Sequence, residues 1–143
     1  MTDFSHLNKL EVQQDKLVDY PMYEISGEQV LKLAPATQAN KSYFNALLRK
    51  TREKSRALQT KDIDAKVLDA NREEDRELYA AHVVKGWEGV TDSAGKLVEF
   101  DKDSCLGFLE ALPDWIFDNL RNFASKPQNF TEKVIDTEDV AKN

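Results

Sequence analysis

The sequence predicts a mainly α fold with small β hairpins, of the α+β class: two long helices, a small hairpin and two shorter C-terminal helices. The chain has only five glycines and four prolines in 143 residues, which leaves few tight turns and favours long helices. Apolar residues recur at three- and four-residue spacings over residues 41–58 and 62–85, as on one face of a helix. Short alternating runs beside glycines predict the hairpins.

The N-terminal part predicts little regular structure before a first hairpin. Residues 1–20 form a predicted irregular segment, in which residues 10–13 are at most a short strand, since proline at position 21 breaks it. Residues 22–25 and 30–33 are the expected strands of a hairpin that turns at Ser26-Gly27. Residues 21–130 are predicted to be a single globular domain. Residues 131–143 are a polar C-terminal tail, expected to be a frayed helix or disordered.

The two long helices differ in charge. Residues 41–61 contain seven basic side chains and Glu53 as the one acid, whereas residues 62–77 contain seven acidic side chains. Tyr43 and Leu47 belong to the apolar face of the first helix. Because the basic and acidic helices are consecutive, we expect an antiparallel pair with complementary charge.

The second half of the chain contains most of the aromatic residues and the predicted core. Residues 86–89, Gly-Trp-Glu-Gly, predict a helix stop and a turn. Residues 90–98 predict a small hairpin with Asp-Ser-Ala-Gly at its turn. Asp101 is a predicted N-cap of a third helix, and Pro113 suits the first turn of a fourth, where a missing amide hydrogen costs little.

No combination of residues predicts an active site. Cys105 lies on the apolar face of its predicted helix, where a thiol is usually buried and inert, so its pairing with His82 is not expected to be catalytic. The acidic residues from Asp101 to Asp118 do not have the spacing of a calcium-binding loop. CxxC, HExxH, GxSxG and phosphate-binding loop motifs are absent from the sequence. We therefore expect a protein that is not an enzyme, with no catalytic, cofactor-binding or metal-binding residues.

Charge and targeting signals predict a soluble intracellular protein. The net charge is -6, which disfavours non-specific nucleic-acid binding and anionic membranes. The single cysteine excludes an intrachain disulfide and fits a reducing compartment. The sequence begins without a signal-peptide pattern, and no apolar run approaches the about 20 residues that span a bilayer.

A protein partner is the expected ligand. The basic run of the first helix has three possible roles: a solvated face or one paired with the acidic helix, a contact for an acidic protein partner, or a contact for phosphate. Trp87 is open to a core or an interface role, whereas Trp115 is expected in the core. The candidate partner-binding residues are Trp87, Phe130, Arg49, Lys50, Arg52 and Arg56.

Several segments occur together in an order that resembles one family. They are residues 40–48 (NKSYFNALL), 82–90 (HVVKGWEGV), 92–96 (DSAGK), 111–115 (ALPDW), 120–124 (LRNFA) and 127–130 (PQNF). With the order GWEGV, LPDW, NF, the region from about residue 30 to residue 130 resembles the tail assembly chaperones of tailed bacteriophages.

This resemblance implies an assembly factor in the host cytoplasm. Such chaperones bind the long tape-measure protein and keep it soluble until tail-tube subunits polymerise around it, so the tail-tube protein is a further expected partner. They are not expected in the finished virion. The resemblance leaves a homo-oligomer open. A structural virion subunit of the tail or head-tail region is the alternative function, and a DNA-binding regulator, based on the basic helix, is the third.

Overall fold

The computed structural model describes residues 2–12, 16–58 and 65–131, with side chains described except at 54–58 and 65–70. In chain order the elements are a 3-10 helix (Ser5–Leu10), strands β1 (Val18–Pro21) and β2 (Val30–Leu33), helices α1 (Lys41–Leu58) and α2 (Ala65–His82), strand β3 (Val84–Glu88), helices α3 (Lys102–Ala111) and α4 (Asp114–Ala124), and a second 3-10 helix (Pro127–Phe130). The predicted α+β class is confirmed. Beyond Thr131 the predicted polar tail lies outside the described residues, and the domain boundaries stay predictions.

The sheet has three antiparallel strands in the order β1-β2-β3. The first strand of the predicted hairpin is misplaced, since residues 18–21 pair with β2 and residues 22–27 form the turn. Pro21 does not break β1 because of its register. The Met22 amide donates to the Gln29 carbonyl at 2.8 Å, so alternation along an antiparallel ladder turns the nitrogen of Pro21 away from β2. The predicted strand at residues 10–13 is also wrong at Leu10, which ends the first 3-10 helix.

Strand β3 replaces the predicted helix end and turn at residues 84–88. Helix α2 ends at His82, and β3 pairs with β2 from Val84↔Leu33 to Val30↔Glu88. Pairing with β2 is a long-range interaction that glycine spacing does not reveal. Gly89 marks the end of the strand, where φ is +74° and an added Cβ would lie 2.3 Å from the Glu28 carbonyl oxygen. Only glycine fits there.

Helices α1 and α2 pack antiparallel, as predicted. The Asn40 side chain at the start of α1 donates to the His82 carbonyl at the end of α2 at 2.8 Å, and the rings of Tyr43 and Tyr79 meet edge to face. Lys50 pairs with Glu77 at 3.1 Å across the two helices, in line with the predicted complementary charge, and the side chains of Lys54 and Arg56 lie outside those described.

The short elements after β3 follow the predictions closely. The predicted hairpin is present as a Thr91↔Leu97 bridge, with the Val98 amide donating to the Val90 carbonyl at 2.9 Å. Asp101 caps α3, accepting a hydrogen bond from the Ser104 amide at 2.7 Å. Pro113 immediately precedes α4.

A single cluster of buried residues joins the sheet to the helices. Its fully buried large side chains are Phe117, Phe130, Met22, Leu31, Leu33, Leu109, Leu120, Val83, Val84 and Cys105. In the part of the chain that is described, no helix has the length and apolar character needed to cross a membrane.

Candidate partner-binding surfaces

Trp87, the leading predicted anchor, lies in β3 and not in a turn. Its indole nitrogen donates to the Val98 carbonyl at 2.8 Å, and its ring meets Phe100 and Phe108 edge to face at 5.2 and 5.5 Å. The ring is half-buried beneath the 90–98 hairpin. The turn predicted around Trp87 is therefore wrong, while the part of Trp87 in partner binding stays a prediction.

Phe130 is a core residue. It is fully buried at the end of the second 3-10 helix, where its ring packs on Phe123 at 6.0 Å. The Asn129 side chain donates through Nδ2 to the Phe123 carbonyl at 2.9 Å and ties this segment back to α4. Phe130 thus cannot extend an exposed patch without a local opening. The prediction failed because the sequence shows the proline that ends the helix but not the fold-back that follows it.

The exposed tryptophan is Trp115, which was expected in the core. Its side chain is 59% exposed at the start of α4. The next two residues, Ile116 and Phe117, take the inward positions, and one residue of offset turns a side chain by about 100° around a helix. The core position predicted for Trp115 is therefore wrong.

The predicted basic surface is partly present. Arg49 and Arg52 are exposed, whereas Lys50 is half-buried and paired with Glu77. Arg56 lies within α1, and its side chain is outside those described. The structure brings further positive charge to this region. The pKa of His82 is lowered, first by burial and then by the charges of Lys85, Lys102 and Arg49. These four groups are far apart in sequence, so α1 alone does not define the basic surface.

The cysteine and histidine have structural surroundings. Cys105 is fully buried, and burial, followed by the charge of Asp101, raises the pKa of its thiol to about 12. This confirms the predicted packing role and leaves little thiolate near neutral pH. The Nδ1 atom of His82 lies 3.2 Å from the Ser42 hydroxyl. Among residues 2–12, 16–58 and 65–131, no group of three or more His, Cys, Asp or Glu side chains could hold a metal ion.

Arg76 forms a buried polar centre that sequence reasoning missed. It is 5% exposed, and its guanidinium donates to the carbonyls of Leu109 and Leu112 at 2.9 and 3.2 Å and to the Asp114 carboxylate at 2.9 Å. Its Cζ atom lies 4.7 Å from the centre of the Phe117 ring. One side chain thus binds the last carbonyls of α3 and the first acidic residue of α4, fixing the corner between them.

Around this centre, charged side chains of α2 also pair with α4. Arg72 pairs with Asp118 at 3.2 Å, and Arg121 pairs with Asp75 at 2.7 Å. The hydrogen bond from Arg76, with the nearby arginine charges, holds the pKa of Asp114 below its usual range. An (i, i+4) charge pattern in the middle of α2 therefore reflects tertiary ion pairs, which a single helix does not reveal.

An apolar ridge lies on the N-terminal 3-10 helix. Phe4, Leu7 and Leu10 are 63%, 47% and 50% exposed, and none of the helix residues is buried. Phe4 is the N-cap of this helix, and its carbonyl accepts from the Leu7 amide at 3.0 Å. Because residues three apart eclipse one another in a 3-10 helix, we infer that the three side chains form one row. We call Phe4, Leu7 and Leu10 the N-terminal ridge.

A groove runs along the outer edge of β1. It encloses about 670 Å³ and is lined by Lys16, Leu17, Val18, Asp19, Phe123, Gln128, Asn129 and Thr131. Its volume is within the range of about 300–1,000 Å³ usual for ligand sites. We call it the β1 groove. It brings together the N-terminal segment and the C-terminal fold-back, which are distant in sequence.

Comparison with known proteins gives one match. A family model described as YdaY prophage protein matches residues 38–143, more than half of the chain. No curated protein matches the chain. No solved structure matches it either. The matched region begins just before α1 and includes α2, β3, α3 and α4.

Proposed function

The chain belongs to the YdaY prophage protein family, and we propose that it is a non-enzymatic tail assembly chaperone that binds the tape-measure protein in the host cytoplasm. The family membership makes it a phage-related protein. The chaperone role is the finer step, and it draws on the resemblance of residues 30–130 to phage tail assembly chaperones. Assistance to the tail-tube protein during polymerisation is part of the same proposal.

The observation that carries a protein-binding role is the N-terminal ridge. Three large apolar side chains stand in one exposed row on a helix that buries nothing, so folding of the described chain does not account for them. Clustered exposed apolar residues on a small protein commonly mark a binding surface. A chaperone for an assembly protein needs such a surface, because its client exposes apolar segments until the assembly closes around them.

Other exposed groups support the same role. Trp115 and Leu97 are both exposed and large, and tryptophan is enriched among residues that dominate binding energy. Arg49 and Arg52 add a charged surface that would favour an acidic client segment.

Co-purification with the tape-measure protein of the same prophage tests the proposal. The variant carries Phe4→Ser, Leu7→Ser and Leu10→Ser, and we expect it to retain little of the tape-measure protein on an affinity column. Ile25→Ser is the matched control, since Ile25 is 45% exposed, close to Leu7 and Leu10, and lies outside the ridge. Both variants should unfold at the temperature of the unaltered protein. Equal retention by all three proteins would contradict the proposed role of the ridge.

Mass spectrometry of purified phage particles separates a chaperone from a virion subunit. We expect the chain to be absent or present only in traces, because a chaperone leaves its client when the tail tube closes. A fixed number of copies for each particle would contradict the proposal and favour the structural alternative.

A further inference from the structure

We propose that the β1 groove binds an extended segment of a protein client, which adds to the outer edge of β1 as a fourth strand. The site deepens the proposed function, on which the identity of the client rests. The geometry of the edge itself is independent of that identity.

The backbone of β1 presents hydrogen-bonding groups to the groove. The Met22 amide donates to the Gln29 carbonyl. Tyr20 and Val18 lie two and four residues before Met22 in the register with β2, so they face β2 in the same way. In an antiparallel ladder, such residues direct both amide and carbonyl to the partner strand, and the intervening residues direct theirs outward. Asp19 therefore directs its amide and carbonyl to the groove, and we infer the same direction for Leu17, which immediately precedes β1. Within the described chain, no strand pairs with this edge.

The lining of the groove agrees with this direction. Lys16, Leu17, Val18 and Asp19 are consecutive, and all four line it. Val18 and Asp19 begin β1, and Lys16 and Leu17 lead into it. Contact with four consecutive residues indicates that the groove follows the backbone along the start of this edge. An extended peptide is the ligand whose own alternating amides and carbonyls match such an edge.

Side chains that line the groove offer both apolar and polar surface to a bound peptide. Leu17 is 49% exposed, and the half-buried Phe123 ring is held in place by Tyr20 at 4.9 Å. These two side chains offer apolar surface to alternate side chains of an added strand. Gln128 and Asn129 also line the groove and add polar groups to it.

Charge restricts the client further. The Asp19 carboxylate is bound by Lys32 at 2.7 Å, which leaves Lys16 as the lining side chain whose charge is unmatched within the described residues. An acidic side chain on the client would complement it. The chemistry that fits is thus a short extended segment with alternating apolar residues and an acidic residue at one end. The four consecutive lining residues, 16–19, span about 13 Å when extended, enough for about four residues of the client.

Amide hydrogen exchange followed by nuclear magnetic resonance tests the site in the unaltered full chain. The probes are overlapping synthetic peptides that cover the tape-measure protein of the same prophage, and a generic peptide of alternating valine and threonine with one glutamate. We expect a binding peptide to slow exchange at the Leu17 and Asp19 amides. The Tyr20 amide, which already faces β2, should change little. A peptide with proline at its central outward position should fail to bind.

A pair of variants separates the backbone contact from the side-chain contact. Asp19→Pro removes the outward amide at an edge position where proline is tolerated, whereas Asp19→Ala keeps the amide and removes the carboxylate. We expect Asp19→Pro to weaken peptide binding about tenfold, the effect of losing one hydrogen bond and leaving a carbonyl unpaired, and Asp19→Ala to weaken it less. The exchange experiment does not depend on whether Asp19→Pro folds.

The outcomes distinguish this inference from the proposed function. Binding of full-length tape-measure protein with unchanged exchange at Leu17 and Asp19 overturns the groove and leaves the chaperone proposal standing. Protection by the generic peptide, with no binding of tape-measure protein or its peptides, supports the groove and contradicts the proposed client. Protection without any peptide, lost on dilution or on removal of residues 132–143, would assign the edge to a second copy or to the chain's own tail, and would overturn the inference. Binding of no peptide also overturns it.

Discussion

Replacing Arg76 with alanine tests whether the corner between α3 and α4 depends on one side chain. The guanidinium binds the Leu109 and Leu112 carbonyls and the Asp114 carboxylate, and it lies over the Phe117 ring. Truncation leaves the Leu112 carbonyl without the bond it receives from Arg76. The Leu109 carbonyl keeps a weaker bond from the Leu112 amide at 3.3 Å.

The magnitude follows from these contacts. Each hydrogen bond from a charged donor to a buried carbonyl is worth about 1.5 kcal/mol or more, so the two carbonyls account for about 3 kcal/mol. Loss of the cation over the Phe117 ring adds about 0.5–2 kcal/mol. The Asp114 contact is left out of the sum because that carboxylate is exposed to solvent. Arg76→Ala should therefore lower the free energy of unfolding by about 3–5 kcal/mol, which is about 10–15 °C in melting temperature for a chain of this size.

Urea unfolding followed by circular dichroism measures this change, with two comparison variants. Arg72→Ala removes a half-exposed arginine from the same helix, and we expect it to cost about 1 kcal/mol or less. Arg76→Lys keeps the charge but loses the planar fork that reaches three acceptors, so its cost should be intermediate. If Arg76→Ala unfolds at the same urea concentration as Arg72→Ala, the corner does not depend on Arg76 and the reasoning is refuted.

Three further predictions concern the strand β3 region and the buried thiol. Trp87→Ala should lower the free energy of unfolding by about 2–3 kcal/mol, measured by thermal denaturation, because the ring is half-buried. An unchanged melting temperature would contradict this burial. Gly89→Ala should destabilise the protein by about 2–4 kcal/mol, because the new Cβ meets the Glu28 carbonyl. Gly95→Ala, at a similar positive φ with open space around it, should cost only about 1 kcal/mol. The Cys105 thiol should resist maleimide at pH 8 in the folded chain and react at once in urea, and rapid labelling of the folded protein would contradict its burial.

Much of the fold is predictable from the sequence where the signals are local. Asp101 caps its helix because the capping interaction spans three residues, and the inner face of α4, with Ile116 and Leu120, follows from helical spacing. The antiparallel packing of α1 and α2 follows from their adjacency in the chain. These elements depend on neighbouring residues, which a single sequence displays directly.

The remainder depends on partners that are distant in the chain. Strand β3 exists because β2 pairs with it, and Pro21 is tolerated because of its register in β1. Arg76 looks like one charge among many in an acidic helix until α3 and α4 close around it. The exposed Trp115 and the buried Phe130 were assigned opposite environments for the same reason. Among the candidate site residues, only the exposure of Arg49 and Arg52 follows from the helix alone.

The soluble fraction of the tape-measure protein tests the central claim most directly. The tape-measure gene of the same prophage is expressed in bacteria alone, with the unaltered chain, and with the Phe4, Leu7 and Leu10 serine variant. Because a chaperone covers apolar segments of its client, we predict that the tape-measure protein is soluble only with the unaltered chain and elutes with it in gel filtration. A tape-measure protein that stays equally insoluble, or equally soluble, in all three cultures would contradict the account.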